Sequence, residues 1–221
     1  MEIISLDKFK ETTPPFDIGL DTQHHHLVMY SSTGELLGAM RYLPVKKNEG
    51  HARVINAVTR ESGKGLGKLM YFALLASFNE MSLTLSPDPN SVKGYASLIW
   101  KHLWSSPSIL KSPLPWEAQR DNYNVGDADL LTVSNPNIPL RLMKKIIKQD
   151  PQHIRELVLT KQLQPHPYNY AYSLSCEHPL GTSLLNIIEH RRVSFEEIYA
   201  HDQLWERRYL AFREPYKKQF R

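Results

Sequence analysis

The string Thr59–Leu75, TRESGKGLGKLMYFALL, carries three glycines at alternate positions, Gly63, Gly65 and Gly67, with Lys64 and Lys68 among them. Glycine has no Cβ, so successive amide N–H groups can converge on an anion. The apolar pattern that begins at Leu66 reads as a helix, whose positive end adds to the same anion site. The chemistry this suits is the holding of a pyrophosphate. Two common pyrophosphate loops fit poorly. A Walker loop needs Gly-Lys followed by Ser or Thr, and Leu69 follows Lys68. The dinucleotide fingerprint needs G-x-G-x-x-G and an acid about 20 residues on. The spacing here is G-x-G-x-G, and the acid near that distance, Asp88, follows a loop-like stretch.

The elements around the glycines alternate between strand and helix. Ile3–Leu6 reads as a short first strand. His26–Tyr30 and Glu35–Val45 read as a hairpin joined by Ser31-Ser32-Thr33-Gly34, where glycine supplies a positive φ. His51–Thr59 alternates, with Ala52, Val54, Asn56 and Val58 on one side and Arg53, Ile55 and Ala57 on the other. Leu66–Glu80 has a broad apolar face suited to a helix. Met81–Leu85 reads as a strand, Ser86–Asn90 as a loop and Ser91–Trp104 as a helix. The expected fold class is α/β (α+β), a mixed sheet flanked by helices.

This stretch resembles the GNAT superfamily of N-acetyltransferases over about residues 24–104. The family's signature is a strand, then R/Q-x-x-G-x-G/A, then a helix. Arg60-Glu61-Ser62-Gly63-Lys64-Gly65 satisfies it literally, and Ser62-Gly63-Lys64-Gly65-Leu66-Gly67 suits the helix start better. The resemblance implies an acetyl-CoA cosubstrate whose pyrophosphate sits on Arg60, Ser62, Gly63, Lys64, Gly65, Leu66, Gly67 and Lys68. It equates His51–Thr59 with the family's fourth strand, which splays from the fifth, binds the pantetheine arm through its backbone and offers an amide near Val58 to the thioester carbonyl. It equates Met81–Leu85 with the fifth strand and Lys93–Trp104 with the family's next helix. The implied activity is acetyl transfer to an amine by direct attack.

The sequence departs from that family at the reacting groups. The helical tyrosine that protonates the departing thiolate aligns with Trp100, which has no acid near neutral pH. Tyr95 is the nearest tyrosine and the candidate acid. No glutamate lies on the fourth strand, so His51 is the candidate base, with Glu61 and Asp88 in reserve. Little chain precedes the second strand, so the acceptor site is expected from loops or from the C-terminal region. The alternative reading is a catalytically degenerate fold that works as a binding or structural module through that region.

The chain has 221 residues, 41% apolar and 23% charged, which excludes wholesale disorder. A lone cysteine, Cys176, excludes a disulfide framework and a multi-cysteine zinc site. His24-His25-His26 has no acidic or cysteine partner fixed by spacing, so no metal site is assigned. No apolar run has the length of a membrane span, and the first residues lack a signal-peptide pattern, so a cytoplasmic protein without a membrane partner is expected. Charge is uneven. Residues 1–140 carry 13 Lys/Arg against 14 Asp/Glu, and residues 141–221 carry 14 against 9. The organisation expected is a core over residues 1–104, a proline-rich connector over 105–134 and a basic helical extension over 135–221. In that extension Asn135–Lys148 and the segment after Asp150 read as helices, Gln164–Pro179 as irregular and Ser183–Arg192 as a short helix. Ser194 with Glu197 forms a capping box opening a last helix that Pro215 ends. A protein or, less favoured, a nucleic acid is its expected partner.

Overall fold

The computed structural model describes residues 16–45, 50–61, 63–88, 95–115, 167–175 and 178–219. The expected first strand Ile3–Leu6 and the helices expected over 135–158 lie outside them. The described residues form a mixed α/β structure, one curled sheet of eight strands with four helices. The strands are β1 (Phe16–Asp21), β2 (His26–Ser31), β3 (Leu36–Pro44), β4 (His51–Thr59), β5 (Thr84–Pro87), β6 (Ile109–Pro113), β7 (Tyr170–Leu174) and β8 (Ile188–His190). The helices are α1 (Leu66–Glu80), α2 (Tyr95–Ser105), α3 (Pro179–Leu185) and α4 (Phe195–Gln219). Across the sheet the order is β6-β7-β5-β4-β3-β2-β1-β8.

The pairing explains why most of these strands form where they do. β1 to β4 make an antiparallel run, with Gly34 at φ +80° closing the β2–β3 turn as expected. β1 alternates Phe16, Ile18 and Leu20 with Asp17, Gly19 and Asp21, a period-two signal just after Pro14-Pro15 that the sequence reading passed over. β5 is parallel to β4, and α1 is the crossover between them. It begins at Thr84, not Met81, because Met81 and Ser82 complete the end of α1, with Ser82 at φ +54°. It then continues through Ser86 and Pro87, where a loop was expected.

Three strands come from the stretch read as connector, irregular segment and helix. β6 ends on Pro113 at the sheet's edge, where a missing N–H costs least. β7 lies between β6 and β5, so Gln164–Pro179 is not irregular throughout. The helix expected over Ser183–Arg192 is instead α3 followed by β8, which pairs parallel with β1 through Ile188, Glu189 and His190. α4 runs past Pro215 to Gln219, although the proline removes one backbone donor and was expected to end the helix.

The two faces of the sheet are covered differently. On the inner face α1 is buried on nearly all sides, from Leu69 to Phe78. Tyr71 of α1, Trp100 of α2 and Tyr172 of β7 meet there with ring centroids 5.2 and 5.3 Å apart. On the outer face the cover is α4. Its entry point is fixed by Asp21, whose carboxylate accepts N–H bonds from Gln23, His24 and Val193 and a fourth from the His24 ring, all at 2.8–2.9 Å. The capping box is present, with Ser194 N–H donating to Glu197 at 2.7 Å and Glu197 N–H to Ser194 Oγ at 3.2 Å. Arg191 holds the same glutamate with two bonds of 2.6 and 2.9 Å.

Burial alone would raise the Asp21 carboxyl, but these hydrogen bonds outweigh it and hold it well below the usual carboxylate range. Its contribution is therefore present above the unfolded value near pH 4 and is lost as pH falls below that. Asp21→Ala strips four bonds from a buried charged acceptor and is expected to destabilise the chain by about 2–4 kcal/mol in urea melts at pH 7.

Candidate functional site

β4 is the strand that organises the site. Its first four residues, His51 to Val54, pair with Thr84 to Pro87 of β5, while Ile55–Thr59 run on with no strand paired to them on that side among the described residues. On the other side β4 stays paired with β3 as far as Thr59. The two parallel neighbours thus part, leaving an open β4 edge about five residues, or about 16 Å, long.

Which amides face that edge follows from the ladder. Arg60 N–H donates to Leu37 O at 2.8 Å. In an antiparallel pair this direction recurs at every second residue, so Val58's amide also faces β3. The amides of Ala57 and Thr59 face the open side. The free amide expected near Val58 therefore belongs to its neighbours.

β4 also carries an extra residue. Arg41 pairs with Asn56 and Tyr42 with Val54, so Ile55 bulges out of the ladder. A single inserted residue exchanges the faces beyond it. Ala52 and Val54 face the inner core, but Asn56 and Val58 turn to the outer face, where Val58 lies beside Ala39 and Val28. The grouping of all four on one side is corrected by this bulge.

The open edge leads into the glycine turn. Gly63 and Gly65 have φ of +80° and +79°, a left-handed conformation that side chains rarely adopt. Nothing lies within 4 Å of where a Cβ on Gly63 would sit. Gly65 caps α1 without any side-chain bond, and the first turn has no acidic residue. The leading amides of Leu66, Gly67 and Lys68 thus keep their donors for an external acceptor. A Cβ on Gly67 would only touch Ile99 of α2, at 3.4 Å. Lys68 is half-buried, which lowers its pKa, and its charge lowers that of His102 of α2 after burial does. Lys64 is exposed and 3.8 Å from Glu61, and Arg60 is paired with Glu35. Ser62 lies outside the described residues.

The base candidate His51 is not brought to this edge. His51 is buried at the start of β4, opposite Thr84, about 26 Å along the strand from Thr59. Trp100 is fully buried in the aromatic core and faces no cleft. Tyr95 begins α2, and its side chain is outside what is described. Asp88 follows β5 at the mouth of the parted strands.

No protein-family model, curated protein or solved structure matches this chain.

The sequence reading missed the outer-face histidine His201 of α4. It is 1% exposed and stacks edge-on to His26 of β2, with ring centroids 5.8 Å apart. No group of three or more His, Cys, Asp or Glu suited to a metal exists among the described residues. His24 is engaged by Asp21, and His26 Nδ1 lies 2.8 Å from His24 O. A cavity of about 70 Å3 between the end of α1, α3 and β7 is too small for a cosubstrate and lies away from the glycine turn.

Burial, then the neighbouring His26, hold the His201 pKa down at about 4, from an ordinary 6.5. The unfolded chain takes up this proton below pH 6.5 and the folded chain does not. Stability is therefore lost as pH falls from 6.5 towards 4, by an amount on the order of 3 kcal/mol. Urea midpoints at pH 7 and 4.5 are expected to differ clearly for the wild type and much less for His201→Phe.

Proposed function

We propose that this chain is an acyl-CoA-dependent N-acyltransferase of the GNAT type, moving an acetyl group from acetyl-CoA to an amine. The observation that carries the reading is the open edge of β4 running straight into an uncapped, glycine-built helix start. A pyrophosphate fits the amides of Gly63 to Lys68, with Lys68 and Lys64 supplying positive charge. The pantetheine arm, an extended chain with two amide groups, fits an unpaired strand edge as an added strand would. An amide of Ala57 or Thr59 is then available to the thioester oxygen as negative charge develops there. The parallel β4–α1–β5 unit and the order of the strands around it support the same reading.

In this account the residues of the chain bind, orient and polarise, and no covalent enzyme intermediate is needed. The amine attacks the thioester carbon, and the tetrahedral oxyanion is held by a backbone N–H. Collapse then expels the thiolate.

A second reading has a specific observation in its favour. Arg208 of α4 donates to Thr59 O at 3.2 Å and to Arg60 O, so the last helix is tied to the very segment that joins the open edge to the glycine turn. A fold that had given up catalysis to serve as a binding module would tolerate such a tie.

Thermal shift separates the two. CoA held at 100 times its Kd is expected to stabilise the chain by about 2.7 kcal/mol. Gly65→Glu is expected to abolish that shift by placing a strained, like-charged side chain at the turn. A chain whose melting ignores both CoA and acetyl-CoA would rule out the enzyme, and a shift that survives Gly65→Glu would remove the phosphate from this turn.

A further inference from the structure

The outer face beneath α4 gathers polar groups that the fold leaves unmatched. The register pairs Asp21 with His26, His26 with Arg41 and Arg41 with Asn56, so one row crosses β1 to β4 with its side chains on that face. Leu43, two residues along β3 from Arg41, pairs with Arg53, which sets Arg53 on the same face beside the row. His201 of α4 lies over it. Both ring nitrogens of His201, Oδ1 of Asn56 and Nε of Arg53 are buried with no hydrogen-bond partner. Arg41 is exposed and makes no ion pair among the described residues. Buried polar groups are nearly always matched, so orphans clustered in one place call for a missing ligand.

We propose that this row is the acceptor subsite, that its ligand is a small primary amine carrying a carboxylate, and that the neutral His201 ring accepts a hydrogen bond from that amine. The proposal rests on the acyl-CoA reading above and names the acceptor that reading leaves open. Its position fits, because Asn56 belongs to Ile55–Thr59, the part of β4 that β5 does not cover. The row therefore ends at the edge assigned to the thioester. Arg41 and Arg53 can only donate, and two guanidinium groups with no acidic partner among the described residues suit a carboxylate. Asn56 Oδ1 accepts an N–H of the amine. His26 keeps its own proton on Nδ1, towards His24 O, which leaves Nε2 as the lone-pair side of the neutral ring.

The groups that set the charge of His201 are His26, Asp202 and Arg41, and burial acts before any of them to keep the ring neutral. A ring whose pKa is held at about 4 is too weak a base to deprotonate an ammonium, but its lone pair accepts an N–H of the free amine. The ammonium therefore gives one proton to solvent as it enters. The amine lone pair forms the N–C bond at the thioester carbonyl, and the tetrahedral intermediate then breaks its C–S bond. A second proton leaves the nitrogen for the departing thiolate, giving the amide and CoA thiol. Because His201 is buried, α4 must tilt off the row to admit the amine.

The test uses the full chain with acetyl-CoA and reads thiol release. The twenty amino acids are compared with their carboxamides, which keep the amine and lose the carboxylate. At least one acid is expected to exceed its amide at least about tenfold in kcat/KM, with Arg41→Gln and Arg53→Gln each collapsing the ratio towards one. His201→Leu is expected to raise the KM for that acid at least about tenfold with an unchanged CoA affinity. His201→Phe serves where the first variant fails to fold. Equal rates for acid and amide, a ratio untouched by the arginine variants, or a wild-type KM in a folded His201 variant would each overturn the proposal. Binding of CoA with no turnover of any amino acid would overturn it and leave the acyl-CoA reading standing. Absence of CoA binding would remove both.

Discussion

The arrangement depends on how β4 is held. β3 pairs with it along its length, whereas β5 pairs with only its first four residues. A parallel neighbour can be reached only through a crossover, and here the crossover is α1, which must start where β4 ends. The tight turn between them uses glycines at positive φ, which leave the helix start without a side-chain cap. One constraint of connectivity thus yields both an unpaired strand edge and a bare helix terminus, side by side. α1 is buried on nearly all sides, so this geometry is set by the core and not by a surface loop.

The outer face depends on a contact far apart in sequence. Asp21 reaches Val193 across 172 positions and sets where the chain leaves β8 for α4. From that point the helix rises about 1.5 Å per residue, so Arg208 lies about 21 Å beyond Ser194. Four strand spacings of about 4.8 Å separate β8 from β4. The helix therefore reaches the end of β4, where Arg208 meets the carbonyls of Thr59 and Arg60. The C-terminal helix is in this way a part of the site's architecture.

What could be read in the sequence was what local physics decides. The hairpin turn at Gly34, the bounds of α1, the capping box of Ser194 and Glu197 and the strand β4 all carry strong short-range signals. The strands β5 to β8 are three to five residues long, with Pro87 in β5 and Pro113 in β6. Pairing makes them strands, and pairing partners are not legible locally. The bulge at Ile55 left no signal in the alternation, yet it reverses which face Asn56 and Val58 occupy. His201 could be seen only as one position in an amphipathic stripe with Ile198, Leu204 and Arg208. Register brings it to His26.

The central claim is that the open edge of β4 and the glycine turn form one binding surface for an acyl-CoA. Amide hydrogen exchange with and without CoA tests it residue by residue. The account predicts new protection at Ala57 and Thr59 and at Leu66 to Lys68, with Val58, already bonded to β3, unchanged. CoA that binds while leaving Ala57, Thr59 and the start of α1 exchanging as before would contradict it.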